Sequence, residues 1–154
     1  YFVKHYEFEC LPFSLKQKGA CMQLYDSWMR KRKSQFQNNV YVGMLGDARR
    51  CLKFVFDNYS GLDFAGMTVK VNKEIKGFTL GFKLNKKTFC ILYEITDLSI
   101  KGIAQFIFAA FCKELKGYKY INIMDDSGLE NLKKVKLSYQ PVKLIPAYIV
   151  SQKK

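Results

Sequence analysis

The sequence predicts an α+β domain built on one mixed sheet, and three observations predict it. Apolar residues recur with helical spacing in two stretches between residues 14 and 59. Three β-prone runs follow between Met67 and Ile95, parted only by short polar breaks at Asn72-Lys73 and Asn85-Lys86. Breaks that short leave room for hairpins alone, so the three runs form an antiparallel meander. After Asp97 the pattern changes to helix, strand, helix, strand. The 154 residues suit a single domain spanning 1–154, and a chain of that length buries about 70% of its unfolded surface. Neither an internal repeat nor a linker divides it, and because Tyr1 is not a start methionine the chain is expected to be part of a longer protein.

Each element has its own reason. Residues 1–13 alternate aromatic and polar types, with Tyr1, Phe2, Tyr6 and Phe8 among them, which predicts an entering strand. From Ser14 to about Phe36, Leu15, Ala20, Leu24 and Trp28 form an apolar stripe that ends in Arg30-Lys31-Arg32-Lys33. Basic side chains at a helix C-terminus suit its dipole, and the same run can grip phosphates. A polar break at Gln37-Asn38-Asn39 precedes a second predicted helix, about Asp47 to Tyr59, lined by Ala48, Cys51, Leu52, Val55 and Phe56. Ser60-Gly61 is expected to close it, with the glycine left-handed. The meander runs Met67–Val71, Glu74–Leu84 and Thr88–Ile95. Gly102–Leu115 is apolar enough to predict a helix buried on most sides. Lys119–Met124 then reads as a strand, Gly128–Leu137 as a helix and Val142–Val150 as a last strand. A strand-helix-strand crossover in one sheet is normally parallel. The strand ending at Ile95 and the one at Lys119–Met124 are therefore expected to run parallel and splay apart.

Composition narrows the chemistry. Half the side chains are hydrophobic (49%) and only 3 are proline, which excludes collagen-like, disordered and low-complexity classes. The apolar run Gly102 to Cys112 contains Gln105 and is much shorter than the roughly 18 residues of a membrane span. With His5 the single histidine, Ser-His-Asp and Cys-His nucleophile systems have almost nothing to work with. The five cysteines (10, 21, 51, 90, 112) are widely spaced, without a C-x-x-C pair, so no metal site is expected. Cys51, Cys90 and Cys112 lie in apolar runs and are expected as reduced, buried thiols of a cytoplasmic protein. The 26 basic against 13 acidic side chains leave a net charge of +13, which favours an anionic partner: RNA, a nucleotide cofactor or an acidic membrane surface. Residues 1–64 carry 10 basic and 6 acidic groups and residues 65–154 carry 16 and 7, so the bias is spread over the chain.

Two stretches carry more than composition. The first is Gly77-Phe78-Thr79-Leu80-Gly81-x-x-Leu84-Asn85-x-x-Thr88-Phe89, running into Glu94. The second is Tyr120-Ile121-Asn122-x-x-x-Asp126-x-Gly128-Leu129-Glu130-x-Leu132-Lys133-x-x-Lys136-x-Ser138-Tyr139-x-Pro141. Together they resemble the phosphatidylglycerol lysyltransferase C-terminal domain family in its soluble bacterial form, and Trp28 and the second helix also sit where that family places a tryptophan and a helix. The resemblance implies a GNAT-like acyltransferase fold and, for the soluble members, two such halves in tandem, of which this chain is similar to the second. Membrane-anchored relatives move an aminoacyl group from a charged tRNA onto phosphatidylglycerol. The chain also departs from the pattern. Ile123 and Met124 stand where the family has arginine and glutamate, and Ile95 stands where it favours lysine.

Acyl transfer needs a carrier site, a stabiliser for the developing oxyanion and help with a proton. In GNAT-like folds the carrier's phosphates sit on backbone N–H groups of a glycine turn that opens a helix. The matching stretch is Asp97 to Gln105, with Lys101, Gly102, Ile103, Ala104 and Gln105 as the expected cofactor-binding residues and Ser99 where an arginine or glutamine is usual. A glycine followed by alanine also opens any tightly packed helix. Glu94 is the candidate general base, or else a glutamate satisfied by a basic neighbour. Asn122 and Asp126 can orient a substrate amine, although Asp126 before Gly128 also suits a helix N-cap. Lys133 and Lys136, three apart, can share a face and pair on a phosphate. Tyr139 can donate to a leaving thiolate or hydroxyl, or be structural. The expected donor is acyl-CoA or an aminoacyl-tRNA, and the expected partners are that anionic donor, an acidic lipid surface and an N-terminal GNAT-like half. The alternative is a degenerate member kept as a basic binding or structural module for RNA, anionic lipid or a protein.

Overall fold

The computed structural model describes residues 1–36, 39–146, 148 and 152. They form two units, Tyr1–Asn122 and Ile123–Lys154.

The first unit is a five-stranded sheet in the order β1-β2-β3-β4-β5 with helices on both faces. A single helical turn, α1 (Phe2–His5), precedes β1 (Phe8–Pro12). The predicted entering strand is thus correct only in its second half. Phe2 and Tyr6 are four residues apart as well as alternating, and they stack at 5.3 Å as a helical turn requires. A short 3-10 turn, Leu15–Gln17, leads into α2 (Lys18–Gln35). Gln17 fixes this entry in two ways. Its Oε1 accepts the Ser14 N–H at 2.8 Å, and its Nε2 donates to the wholly buried Thr68 hydroxyl at 2.9 Å. Helix α3 spans Asn39–Asp57 and begins well before the expected Asp47. Gly43 and Gly46, poor helix formers, hide its first half in the sequence. There the Tyr25 hydroxyl donates to the Leu45 carbonyl at 2.9 Å. Gly61 is not left-handed. A 3-10 turn, Tyr59–Gly61, closes the helix instead, with Asn58 Nδ2 donating to the Phe54 carbonyl at 2.8 Å.

The meander is β2 (Phe64–Val71), β3 (Glu74–Asn85) and β4 (Thr88–Thr96), antiparallel throughout as expected. Asn72 and Lys73 both take positive φ, 52° and 67°, the geometry of a two-residue hairpin turn. Asn85 Oδ1 accepts the Lys87 N–H at 2.9 Å and shapes the second turn. Helix α4 (Ile103–Glu114) crosses to β5 (Tyr120–Asn122), which pairs parallel with β4. Alternation along β3 divides the core into two layers. Phe78 and Leu80 point to α2 and α3, where Phe13, Cys21, Leu24, Tyr25, Leu52, Phe56, Tyr93 and Ile95 complete one cluster. Gly77 points the other way, to Ile103 and Ile107 of α4.

Helix α4 is not buried on most sides. Ile103, Ile107 and Phe111, at four-residue spacing, are its buried positions, because the sheet covers one face only. Cys51 is exposed, contrary to expectation, whereas Cys90 is buried and Cys112 half-buried. In α3, Leu52 and Phe56 take the inward positions and rotate Cys51 out.

The second unit contains α5 (Glu130–Ser138). Asp126 is not its N-cap, a position held by Leu129. The Asp126 carboxylate accepts the Gly128 N–H at 2.9 Å and forms a turn just before the helix. Of the expected last strand, residues 142–146 and 148 form none, and Ala147, Ile149 and Val150 lie outside the described residues.

Candidate active site

The site is built around the parallel pair β4 and β5. Their parallel ladder holds only Thr88–Tyr120, Phe89–Ile121 and Cys90–Asn122. Beyond the last of these pairs β4 runs on to Thr96, whereas β5 ends at Asn122, and the two strands pair parallel as expected. A bulge marks the same stretch. Leu80 pairs with Tyr93 and Gly81 with Ile91, which leaves Leu92 as the extra residue. A side chain at Gly81 would collide with the Cys90 carbonyl and the Phe89 ring, so the strands approach this closely only with glycine there. Tyr93 anchors the bulge to α3 by donating to the Ala48 carbonyl at 2.8 Å. Burial leads the causes that push its phenol far above the ordinary range.

Glu94 follows on the α4 side of β4, half-buried and opposite the wholly buried Thr79 of β3. Its charge reaches Cys112 of α4, whose thiol is pushed up first by burial and then by that carboxylate. Asn122, the last residue of β5, is half-buried at the end of the parallel ladder. Glu94 and Asn122 thus sit on two neighbouring parallel strands. Asp126 and Tyr139 belong to the second unit, Asp126 in the turn before α5 and Tyr139 at its C-cap.

The turn from Asp97 to Gly102 leads from β4 into α4. Gly102 is its N-cap at φ 84°, and its carbonyl accepts the first helical bond from the Phe106 N–H at 3.0 Å. The N–H groups of Ala104 and Gln105 have no acceptor inside the helix, as at any helix start. The start of α1 and the residue that caps it stand beside this turn. Phe2 Cβ is 3.4 Å from where a Gly102 side chain would begin, and Lys101 Nζ lies 4.7 Å from the Tyr1 ring centre. Lys101 and Gln105 are exposed, while Ile103 is buried and belongs to the core.

Of the basic groups singled out by sequence, Arg32 lies over the Trp28 ring at 5.5 Å and Lys31 reaches Asp97 at 3.2 Å. The Lys133–Lys136 pair is divided. Lys133 pairs with Glu130 at 3.9 Å, and Lys136 Nζ donates to the carbonyls of Ile123, at 2.5 Å, and Asp125. Met124 and Ser127 in this segment take left-handed φ, which turns those carbonyls toward one point. Asp97 is the residue that sequence reasoning passed over. Burial opposes its ionisation, but bonds from Ser99 and Lys31 prevail and bring its carboxyl down to about 2. The Asp-x-Ser spacing of a local side-chain turn was the available signal. Among the described residues no group of three or more His, Cys, Asp or Glu is placed to hold a metal, and no helix is long and apolar enough to cross a membrane.

A mixed sheet with a bulged β4, a short parallel β5 and a crossover helix gives the chain a GNAT-like fold. The ribosomal-protein-alanine N-acetyltransferase of Brucella melitensis biovar Abortus 2308 superposes with a TM-score of 0.66 at 8% identity, over 95% of this chain and 100% of that one. The paia N-acetyltransferase of Thermoplasma acidophilum, solved in complex with coenzyme A, gives 0.61 at 10% identity over 87% of each chain. The family model described as phosphatidylglycerol lysyltransferase, C-terminal, matches residues 1–151, and the chain belongs to that family. A conserved protein of unknown function from Bacteroides thetaiotaomicron VPI-5482 is 32% identical with a TM-score of 0.84, over 93% of this chain and 47% of that one. The chain therefore spans about half the length of that relative. No curated protein matches it.

Proposed function

We propose that the chain is an acyltransferase domain that moves an acyl or aminoacyl group from coenzyme A or a tRNA to an amine or hydroxyl acceptor. The observation that carries this is the parallel pairing of β4 with β5 across the crossover that the left-handed Gly102 turn opens into α4. The Thermoplasma neighbour, solved with coenzyme A, shares that fold. In this reading Lys101, Gly102, Ile103, Ala104 and Gln105 form the phosphate turn, with Ile103 contributing only its backbone. The Glu94 carboxylate takes the proton from the acceptor as its nitrogen or oxygen attacks the acyl carbon, and the bond from that carbon to the carrier's sulfur or oxygen breaks. Asn122 orients the acceptor. Asp126 as an orienting group and Tyr139 as donor to the leaving atom are readings of the sequence alone, and Asp126→Asn and Tyr139→Phe test them.

The span of the Bacteroides relative supports a second GNAT-like half in a longer tandem protein. The net charge of +13 supports an anionic donor and an acidic membrane surface as partner, and the five free cysteines support a reducing, cytoplasmic setting. A binding-module reading has its own observation. Ile95, at a position where the family favours lysine, is 5% exposed within the α2–α3 core, so that charge has been traded for packing.

Calorimetry with acetyl-CoA and with an aminoacylated tRNA decides between them. Heat with one ligand is expected, and Glu94→Gln should keep that binding while turnover is lost, because a base acts on the chemical step and not on ground-state affinity. No heat with either ligand leaves the binding-module reading standing.

A further inference from the structure

We propose that Asp97 is the positioning residue of the β4–α4 turn, setting its backbone and tying it to the basic end of α2. The proposal rests on the reading of that turn as the carrier's phosphate site. Asp97 directly follows β4, and its side chain is only 18% exposed. Its Oδ1 accepts the Ser99 N–H at 3.0 Å, the Ser99 hydroxyl at 2.7 Å and Lys31 Nζ at 3.2 Å. Its Oδ2 lies 3.6 Å from Lys76 Nζ. Its backbone is engaged as well, the N–H donating to the Lys76 carbonyl at 2.8 Å and the carbonyl accepting the Ile100 N–H at 3.1 Å. One residue thus joins three elements: α2 through Lys31, β3 through Lys76, and the turn itself through Ser99 and Ile100.

The chemistry of these contacts gives them different tasks. The bonds from Ser99 and Ile100 shape the turn that ends at the left-handed Gly102, and an asparagine at position 97, with its amide oxygen at the same reach, can receive the Ser99 bonds. The two ammonium groups need charge. Lys76 also pairs with Glu74 at 2.9 Å, so it keeps an anion when Asp97 is changed. Lys31 belongs to the run Arg30–Lys33, and its pairing with Asp97 draws the basic end of α2 to the start of the turn. A turn held in this way presents its N–H groups already aligned, and loosening it weakens ground-state binding without touching the proton transfer.

The test compares wild type, Asp97→Ala and Asp97→Asn by two readouts. The first is the apparent affinity (KM, or Kd by calorimetry) for acetyl-CoA beside kcat. Asp97→Ala is expected to weaken affinity about tenfold to a hundredfold with kcat retained, the scale on which misplaced binding groups act. Asp97→Asn, which still accepts from Ser99, should recover most of that loss. An unchanged affinity in Asp97→Ala, or equal losses in the two variants, overturns the proposal. The second readout is amide exchange at Ser99 without any ligand, expected fast in Asp97→Ala and slow in wild type and Asp97→Asn. If wild type binds neither acetyl-CoA nor an aminoacylated tRNA, the carrier reading fails, and the Ser99 exchange alone then judges Asp97. Equal exchange in wild type and Asp97→Ala shows that the carboxylate does not hold the turn.

Discussion

At Gly102 the backbone conformation, and not the space available, sets what the position tolerates. A methyl there would meet Phe2 at 3.4 Å, an acceptable contact, but φ is 84° and only glycine takes that region without penalty. Gly102→Ala is therefore expected to lower stability by about 1–2 kcal/mol whether or not the turn binds phosphate. Chemical denaturation in the absence of ligand checks this, and an unchanged midpoint would show that the turn relaxes out of the left-handed region. The same position illustrates what single residues disclose. A glycine before an apolar helix was legible in the sequence as a turn. That Phe2 and Tyr1 stand beside it was not, since a hundred or so intervening residues have to fold before they meet.

Among the elements, α4 joins stability to the site, because it carries the turn at one end and packs under β3 and β4 along its length. Its inward stripe is Ile103, Ile107 and Phe111, at 1%, 0% and 3% exposure. Ile107 also approaches Gly77, where no side chain exists to move into a vacated space. Ile107→Ala should cost about 2–5 kcal/mol, the range for truncating a buried aliphatic residue that neighbours cannot replace. Thermal unfolding measures it, and a loss below about 1 kcal/mol would mean that α4 settles onto the sheet. Helical period in the sequence located α4 correctly but exaggerated its burial. Apolar residues such as Phe106 and Phe108 occupy its flanks half-exposed, and composition alone does not separate a flank from an inward face. In α3 the error ran the other way, since two glycines concealed a first half that the Tyr25–Leu45 bond holds.

For the whole molecule, charge is the dominant surface property. With a net +13, any affinity for RNA or for anionic lipid vesicles is expected to fall linearly with salt on logarithmic axes, because released counterions supply the driving force. Titrations from low to physiological salt examine this. A flat profile would point to a hydrogen-bonded or apolar site that the basic surface does not provide.

Sequence by itself determined the antiparallel meander and the crossover through α4, whereas of the expected α2 stripe only Leu24 is buried, beside Cys21 and Tyr25, with Leu15 and Ala20 exposed. The meander and the crossover each depend on residues close together in the chain, such as the Asn72-Lys73 turn that sets the β2–β3 hairpin. The two motif stretches also carried the resemblance to the family whose model matches residues 1–151, and the crossover rule placed the strands of Glu94 and Asn122 side by side. Only the tertiary structure decided how far β5 pairs with β4, which cysteine faces solvent, and that Lys136 turns to backbone carbonyls. It alone gave Asp97 its partners, with Lys31 lying 66 residues away in sequence. The physical reason is that hairpins and helical stripes are fixed by local pairing and period. Contacts between distant residues exist only once the packing of every intervening element has chosen which faces meet.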